Sequence, residues 1–574
     1  MKDLPPEILE LLFDYLNDPK DICNISETCK KFKEVIERSD RLVKKLTIYV
    51  SYPAILHSFR STLKNSVRRY RNLCITRTRD IGTESQFLSL TNAFELIGPK
   101  IKNLTVKWCL LRNLDIPITN SSDQAFRRRI RAEMYYYDHA PMGRYYGSYG
   151  GMRDNYRDEL HKEFITIIKY FTNLERTVWN DVHIERRTNL NEITTLDFTS
   201  LRQLEMRDCD AYAFDVISSA TQLDSLIITD PSWNSNRLPG IDTFELFLIS
   251  QEALKTLIIN SIQHPRLFNI DRSERIQFKL KSLELKDVSF HDKTHAENFF
   301  NTQKELEFLN IQLQNERSRP LDFLSFYDEI LKTVLKDNLK LKTLCFDKHN
   351  YRFINCDFLK NIKNENVETL NFNVSKEDND AEFFKTLLKT LPNLKTITYK
   401  SEYCVDNDGD VCFDKGTNLD QVVQLVMINA SVKSLINVYV QHLHTFELSP
   451  KLNGSYIDDY IGGFLHRHRT IKVFKIGNSI GPSYFFVSWN LCQIIVNYLI
   501  NLESLTVYNF AEVNKSVQFL CNLRYLKKLT VSSLQYQQIT AKTKEECERI
   551  KLKLIPVEKT SQVNEIVEQD DDDD

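Results

Sequence analysis

One six-residue phrase recurs along most of this chain: an apolar residue, two others, an apolar residue, one other, and an apolar residue. Clear copies begin at Ile101, Leu201, Leu223, Leu254, Leu280, Leu306, Leu341, Val367, Leu394, Leu443, Ile471, Leu502 and Leu526, with weaker copies at Leu42, Tyr70 and Phe171. From Leu201 onward most starts are 22 to 35 residues apart. A short unit cannot bury its apolar face alone, so a chain of such units must fold as a stack.

Two periodicities alternate within each unit. The phrase itself alternates apolar and other residues, which predicts a short strand. Upstream runs with apolar residues three or four apart predict helices; we assign 383–391 and 422–427 to this kind. The predicted fold class is therefore α/β, a solenoid (horseshoe) with parallel strands on the concave face and helices outside.

In two copies a cysteine, Cys109 or Cys209, lies three places after the last apolar residue of the phrase. The resulting LxxLxLxxC pattern resembles the cysteine-containing leucine-rich repeats of many F-box proteins. This resemblance implies a protein-binding solenoid.

The first 46 residues have a different pattern, which predicts three short amphipathic helices. Pro5 and Pro6 stand where the first helix begins, and Asp18 with Pro19 marks the start of the second. The first apolar stripe consists of Ile8, Leu9, Leu12, Phe13 and Leu16. So few residues cannot form a robust core alone, which indicates support from the repeats, from a partner, or from both.

This segment resembles the F-box. The resemblance lies in Leu4-Pro5, Glu7-Ile8-Leu9, Phe13, Leu16, Asp21-Ile22, Cys29-Lys30 and Phe32; Leu42 and Val43 stand where many F-boxes carry a tryptophan. It implies binding to the Skp adaptor of cullin–RING ubiquitin ligases through Leu4, Pro5, Ile8, Leu9, Phe13, Ile22 and Phe32. The alternative is that these residues only pack the helices together, which we favour for Leu12 and Leu16.

Five segments follow from these patterns. They are an F-box at 1–46, first repeats at 47–118, an insertion at 119–160, the main solenoid at 161–540 and a charged tail at 541–574. The insertion is rich in Arg, Tyr and Gly, and the tail ends in five aspartates. We expect both to be disordered; target binding and RNA contact by the insertion are the alternatives.

The concave wall is the predicted target-binding surface. Its candidate residues stand between or just after the apolar positions: Glu205, Arg207, Glu284, Lys286, Asn310, Gln312, Asn371, Asn373 and Lys400. Their mixed charges argue against a phosphate-binding face, so nucleic acid is not an expected partner.

Patterns that would indicate catalysis or a bound metal do not match their templates. Asp406, Asp408 and Asp410 lack the glycine and glutamate of an EF-hand, and the pairs His442/His444 and His466/His468 fit no zinc spacing. No Walker loop, GxSxG or HExxH occurs in the sequence. We therefore expect no enzyme activity and no cofactor.

Composition places the protein inside the cell. The net charge is −2, the twelve cysteines are scattered singly, and neither an export signal nor a long apolar run is present. We expect a cytoplasmic or nuclear protein that does not enter membranes. Its expected role is to join a target protein to a Skp–cullin–RING ligase for ubiquitination and degradation; the alternative is a repeat scaffold whose N-terminal helices only cap the solenoid.

Overall fold

The computed structural model describes most of the repeat region and parts of the N-terminal segment. The described residues are 4–16, 25–26, 28–39, 42, 47–52, 63, 70–77, 84–108, 162–182, 196–210, 212–229, 239–260, 266–267, 276–290, 293–313, 324–347, 359–374, 381–401, 419–430, 432, 435, 438–450, 457–477 and 485–557. They belong to two compact units, Met1–Thr302 and Gln303–Asp574.

The described part of the first unit carries the N-terminal helices and nine strands. Its helices are α1 Pro6–Asp14, α2 Lys30–Arg38, α3 Glu84–Ile97, α4 Ala213–Val216, α5 Pro239–Ile249 and α6 Lys293–Thr302, together with a further helix at 162–168. Its strands are β1 Thr47–Tyr52, β2 Asn72–Arg77, β3 Asn103–Trp108, β4 Arg176–Asn180, β5 Gln203–Arg207, β6 Ser225–Thr229, β7 Thr256–Asn260, β8 Arg266–Leu267 and β9 Ser282–Phe290. Strands β1 to β7 pair in chain order, β9 follows β7, and β8 pairs with β9; every pairing is parallel.

The second unit repeats the same scheme. Its strands are β10 Phe308–Leu313, β11 Thr343–Asp347, β12 Thr369–Val374, β13 Thr396–Ser401, β14 Gln424–Ala430, β15 Thr445–Pro450, β16 Val473–Ile476, β17 Ser504–Val507, β18 Lys528–Ser532 and β19 Lys553–Val557. Its helices are α7 Leu324–Asp337, α8 Ala381–Thr390, α9 Ile457–Arg467, α10 Trp489–Tyr498, α11 Val513–Leu520, α12 Ser533–Gln538 and α13 Ala541–Arg549. All neighbouring strands from β10 to β19 pair in parallel and in chain order.

Alternate residues of most strands make the core. In β5 the buried residues are Leu204 and Met206, and the residues between them face the other side. The buried strand residues meet helix side chains, as when Phe446 of β15 lies 4.5 Å from Phe464 of α9, measured between ring centroids. The α/β class with stacked strand–helix units is confirmed.

Buried polar side chains connect successive repeats. Gln251, Asn338, Asn364 and His468 are all buried, and each stands three residues before the first apolar residue of a phrase. Gln251 Nε2 donates to the carbonyl of Ala220 at 2.7 Å, while Gln251 Oε1 accepts from the N–H of Leu223 at 3.2 Å. These bonds satisfy backbone groups that the turns between helix and strand leave unpaired. We call a buried polar residue that stands three residues before a phrase and makes such bonds a turn latch.

A buried ion pair fixes the helix at 162–168 against the first strands. Arg77 Nε lies 3.1 Å from Glu163 Oε2, and the hydroxyl of Tyr52 donates to Glu163 Oε1 at 3.1 Å. The guanidinium carbon of Arg77 also lies 5.8 Å from the ring centroids of both Tyr52 and Trp108. This helix lies directly after the predicted insertion, so the pair attaches the chain there to β1, β2 and β3.

Two predicted elements are wrong. The run at 422–427 lies in strand β14 and the loop before it, because Val422, Leu425 and Met427 complete a phrase of the repeat rather than a helix stripe. The tail predicted at 541–574 begins with helix α13 and strand β19, which pairs with β18, since Cys547 and Leu552 bury against the last repeat. The insertion at 119–160 and residues 558–574 lie outside the described residues.

Candidate functional site

Helix α1 begins at Pro6, as the positions of Pro5 and Pro6 in the sequence predicted. Pro5 is the N-cap residue and Pro6 opens the helix, where a missing N–H costs no hydrogen bond. The N–H groups of Ile8 and Leu9 both donate to the carbonyl of Pro5 at 3.1 Å. Glu7 places a carboxylate in the first turn, where the positive end of the helix dipole stabilises its negative charge.

The inner face of α1 packs on α2. Leu9, Phe13, Phe32, Val35, Ile36 and Leu42 form one buried cluster, and Tyr70, which begins the phrase containing β2, packs against it. The rings of Phe13 and Phe32 meet edge to face with centroids 5.3 Å apart. Lys31 Nζ donates to the carbonyl of Leu4 at 2.9 Å, which holds the start of the chain against α2.

The outer face of α1 is apolar and exposed. Ile8 is 43% exposed, Leu11 51%, Leu12 43% and Tyr15 83%. Their spacing of three, four and seven residues places them on one side of the helix, and we call this surface the α1 stripe. A helix that is apolar on both faces needs a second covering surface, so the α1 stripe is the candidate adaptor-binding site.

Burial divides the predicted adaptor-binding residues. Pro5 and Ile8 are exposed and Leu4 is half-buried, so these three can reach a partner. Leu9, Phe13 and Phe32 are buried among the F-box helices and present no surface in this structure. Ile22 lies outside the described residues.

Leu9 and Leu12 therefore exchange their expected roles. Leu12 is part of the α1 stripe, whereas Leu9 belongs to the core. The helix turns 100° per residue, so the stripe through Ile8 continues to Leu11, Leu12 and Tyr15 rather than to Leu9 and Phe13. The sequence signal was present: α1 carries too many apolar residues for a helix with a single buried face.

The predicted target-binding residues of the first unit lie on the sheet face opposite the helices, here called the open face. Glu205 and Glu284 occupy the same row, separated in register by Ile227 and Ile258. Three strand spacings of about 4.8 Å separate the Cα atoms of the two residues by roughly 14 Å. Glu205 pairs with Arg207, and Glu284 pairs with Lys286 at 2.9 Å. Each acid is thus neutralised on its own strand.

In the second unit the predicted residues form another group. Asn310 and Asn371 lie in one row on either side of Cys345, and Asn371 Nδ2 lies 3.0 Å from the sulfur of Cys345. Asn373 is the register partner of Lys400 on the next strand. Gln312 follows Asn310 on the same face of β10. The structure therefore brings the nine predicted residues together as two groups, one in each unit.

Charged residues also line the N-terminal ends of the strands. In the first unit Lys102, Glu175, Arg202, Asp224 and Lys255 alternate in sign from strand to strand, with Lys102 and Glu175 3.1 Å apart. In the second unit, the hydrogen bond from Lys395 lowers the pKa of Glu368, and that from Lys527 lowers the pKa of Glu503. A shallow pocket of about 470 Å³ opens on this edge beside Lys102, Arg176 and Arg202. Alternation of charge favours the native register over a shifted one.

Metal ligands do not converge in the described part of the chain. No group of three or more His, Cys, Asp or Glu side chains there could hold a metal ion. His442 and His444 are exposed, whereas His468 is buried and bonded to backbone. Asp406, Asp408, Asp410, Cys404 and Cys412 lie outside the described residues. None of the described helices is long and apolar enough to cross a bilayer.

Comparison with known proteins identifies the N-terminal segment. Residues 1–49 match the F-box-like family model. This confirms an F-box-like segment at the predicted place, three residues longer than the predicted boundary at 46. The match covers the segment that carries the α1 stripe and leaves the repeats unassigned to a family.

A search of curated proteins found no match. Among solved structures, a crystal structure of the Rad7 and Elc1 complex in yeast is similar over 88% of this chain and 88% of that chain. The identity is 11% and the TM-score 0.31, values at which the likeness decides neither fold nor function.

Proposed function

We propose that this protein is the substrate-recognition subunit of a Skp–cullin–F-box ubiquitin ligase. The observation that carries the proposal is the α1 stripe, an exposed apolar helix face inside the segment that matches the F-box-like family model. Covering this face with the Skp adaptor removes apolar surface from water, and the adaptor in turn contacts cullin and RING subunits.

The repeats then hold the target. Parallel strands at regular spacing present rows of side chains that are ordered before binding, which lowers the entropy lost on association. Holding a target lysine close to an activated ubiquitin raises its effective concentration, so this chain needs no bond chemistry of its own. We place the protein in the cytoplasm, the nucleus or both, where such ligases act.

We assign target capture to the open face of the first unit and to the group that contains Lys400 in the second unit. Arg207→Glu, Lys286→Glu and Lys400→Glu should together reduce the captured target without affecting adaptor binding. Deleting 119–160 should matter less, because the described strands present side chains that are already ordered before binding. Ubiquitination in a reconstituted ligase compares the two variants; loss of modification only with the deletion would move the recognition site to the insertion.

The adaptor interface is tested by charge on the α1 stripe. Ile8→Asp with Leu12→Asp places two carboxylates on the stripe, and binding would then bury unpaired charge. We expect loss of the Skp adaptor from a co-purification while the unfolding temperature stays the same. Leu246→Asp with Leu534→Asp is the matched control, because both leucines are exposed elsewhere. Retained adaptor binding in the stripe variant would refute the F-box role.

A capping role is the second candidate. The contact between Tyr70 and the F-box cluster supports it, because the N-terminal helices cover apolar surface of the phrase that contains β2. If capping is the only role, the stripe variant should bind no less adaptor than the control, and deletion of residues 1–46 should lower the unfolding temperature.

A further inference from the structure

Two thiols from different repeats are in contact near the end of the second unit. Cys521, the C-cap residue of α11, and Cys547 of α13 have sulfur atoms 3.8 Å apart. Cys547 is buried, while Cys521 is half-buried and reaches the surface. Twenty-six positions of sequence separate them, so the tertiary fold brings the sulfurs together.

Hydrogen bonds between the same two elements hold this arrangement in place. Gln518 Nε2 donates to Thr543 Oγ1 at 3.3 Å, and Asn514 Oδ1 accepts from the N–H of Thr540 at 2.9 Å. Thr540 also caps α13 through its hydroxyl, which accepts from the N–H of Thr543. The helices are therefore ordered around the two cysteines without any covalent link.

The geometry favours a bond between the sulfurs. A disulfide requires sulfur atoms about 2.05 Å apart, so each side chain needs to move by only about 1 Å. The hydrogen bond between the two sulfurs lowers the pKa of the Cys547 thiol and raises the pKa of the Cys521 thiol, so Cys547 loses its proton first and the thiol of Cys521 stabilises the thiolate. Other described cysteines lie in different surroundings: Cys209, for example, is buried with its sulfur 3.5 Å from the carbonyl oxygen of Trp179.

We propose that Cys521 and Cys547 form a reversible disulfide when the cell produces a hydroperoxide. The thiolate of the pair attacks the peroxide, the O–O bond breaks, and the leaving oxygen takes a proton to become water or an alcohol. The second thiol attacks the resulting sulfenic acid; the S–S bond forms, the S–O bond breaks, and water leaves. Two thiols lose two electrons in total and the peroxide gains them, and a dithiol reductant reverses the reaction.

The disulfide would lock the C-terminal repeat. The closed loop contains β18 and α12, and α13 leads into β19, the last strand that the described residues form in the second unit. Cross-linking the two helices restricts the unfolded chain and keeps β19 paired with β18. Pro556 lies within β19 and removes one donor from that strand, which limits pairing with other chains. The site would therefore couple the stability of this end of the solenoid to the redox state.

Thiol trapping of the full-length chain tests the proposal. After hydrogen peroxide treatment, unreacted thiols are blocked with N-ethylmaleimide, and peptides are mapped by mass spectrometry without reduction. We expect a linked peptide joining Cys521 to Cys547, its loss after dithiothreitol, and an unfolding temperature several degrees higher in the oxidised protein. The proposal would be overturned if both Cys521 and Cys547 were recovered as maleimide adducts or as sulfinic acids.

Cysteine variants provide the control. The peptide mapping of the wild-type chain identifies the linked cysteines even if a variant folds poorly. Cys521→Ser and Cys547→Ser should each abolish the rise in unfolding temperature, whereas Cys29→Ser, at a half-buried cysteine of the N-terminal segment, should retain it. The same rise in both Cys521→Ser and Cys547→Ser would show that another pair is responsible.

Discussion

The backbone N–H of Val440 donates to Nε2 of His468 at 2.9 Å, across the boundary between two repeats. The other ring nitrogen, Nδ1, lies 2.7 Å from the carbonyl oxygen of Phe464, so Nδ1 carries the proton and donates it there. The imidazole must be neutral for both bonds to exist at once. Its ring also stacks on Phe464 with centroids 4.0 Å apart. His468 is thus a turn latch that works only in its uncharged form.

The His468 latch should make stability depend on pH. Burial lowers the pKa of His468 from 6.5 to about 4, so between these values the unfolded chain binds a proton that the folded chain excludes. The free energy of unfolding should therefore fall as pH falls through this window, by up to about 3 kcal/mol. Urea unfolding of the wild type and of His468→Gln at about pH 7.5 and about pH 4.5 measures this.

The pH dependence of stability needs a control variant at a second histidine, because carboxylates also titrate over part of this pH range. His442→Gln changes an exposed histidine of the preceding repeat and should keep the wild-type dependence on pH. On acidification, His468→Gln should lose less stability than the wild type and less than His442→Gln. Equal losses in all three proteins would exclude His468 as the titrating group.

Gln251 allows a test of the turn latch without a change in charge. Replacing it with alanine leaves the carbonyl of Ala220 and the N–H of Leu223 without the partners that they have in the native protein. We expect Gln251→Ala to lower the free energy of unfolding by about 1 to 3 kcal/mol, because both groups are buried. Gln222→Ala, in the preceding repeat and near the surface, should change it by less than about 0.5 kcal/mol. Similar values for the two variants would show that the latch contributes little.

The repeat pattern alone predicted most of the strands and their parallel order, but not β14 or β19. Leu283 and Leu370 lie in the cores where the phrase placed them, because strict alternation leaves only one way to bury the apolar row. The same pattern misassigned 422–427: a run of adjacent apolar residues fits a helix stripe and a doubly covered strand equally well. Register with β13 and β15 decides for the strand.

Polar core residues and helix rotation were harder to predict. The turn latch residues Gln251, Asn338 and His468 are polar, and polarity alone predicts exposure. Their fixed place three residues before a phrase was the available signal. For α1, the sequence predicted an apolar helix but could not say which side faces Phe32 and which faces solvent, since both sides are apolar.

The alternation of the phrase can be tested at two neighbouring residues. Leu283 is fully buried, and Leu283→Ala should lower the free energy of unfolding by about 2 to 5 kcal/mol through lost contacts and a cavity. Glu284, the next residue, lies on the open face beside Lys286, so Glu284→Ala should cost less than about 1 kcal/mol. Chemical denaturation of both variants measures the difference, and equal costs would contradict the assigned faces.

Two ion pairs of equal length should differ in strength because they differ in burial. Arg77–Glu163 and Lys102–Glu175 both measure 3.1 Å, but the side chains of the first are 3% and 22% exposed and those of the second 34% and 58%. Glu163→Ala leaves a buried guanidinium without its carboxylate and should cost about 3 to 5 kcal/mol. Glu175→Ala should cost under about 1 kcal/mol, since water and salt already screen that pair. Denaturation at low and high salt measures both losses. A loss for Glu163→Ala as small as that for Glu175→Ala would mean that the pair does not anchor the helix at 162–168.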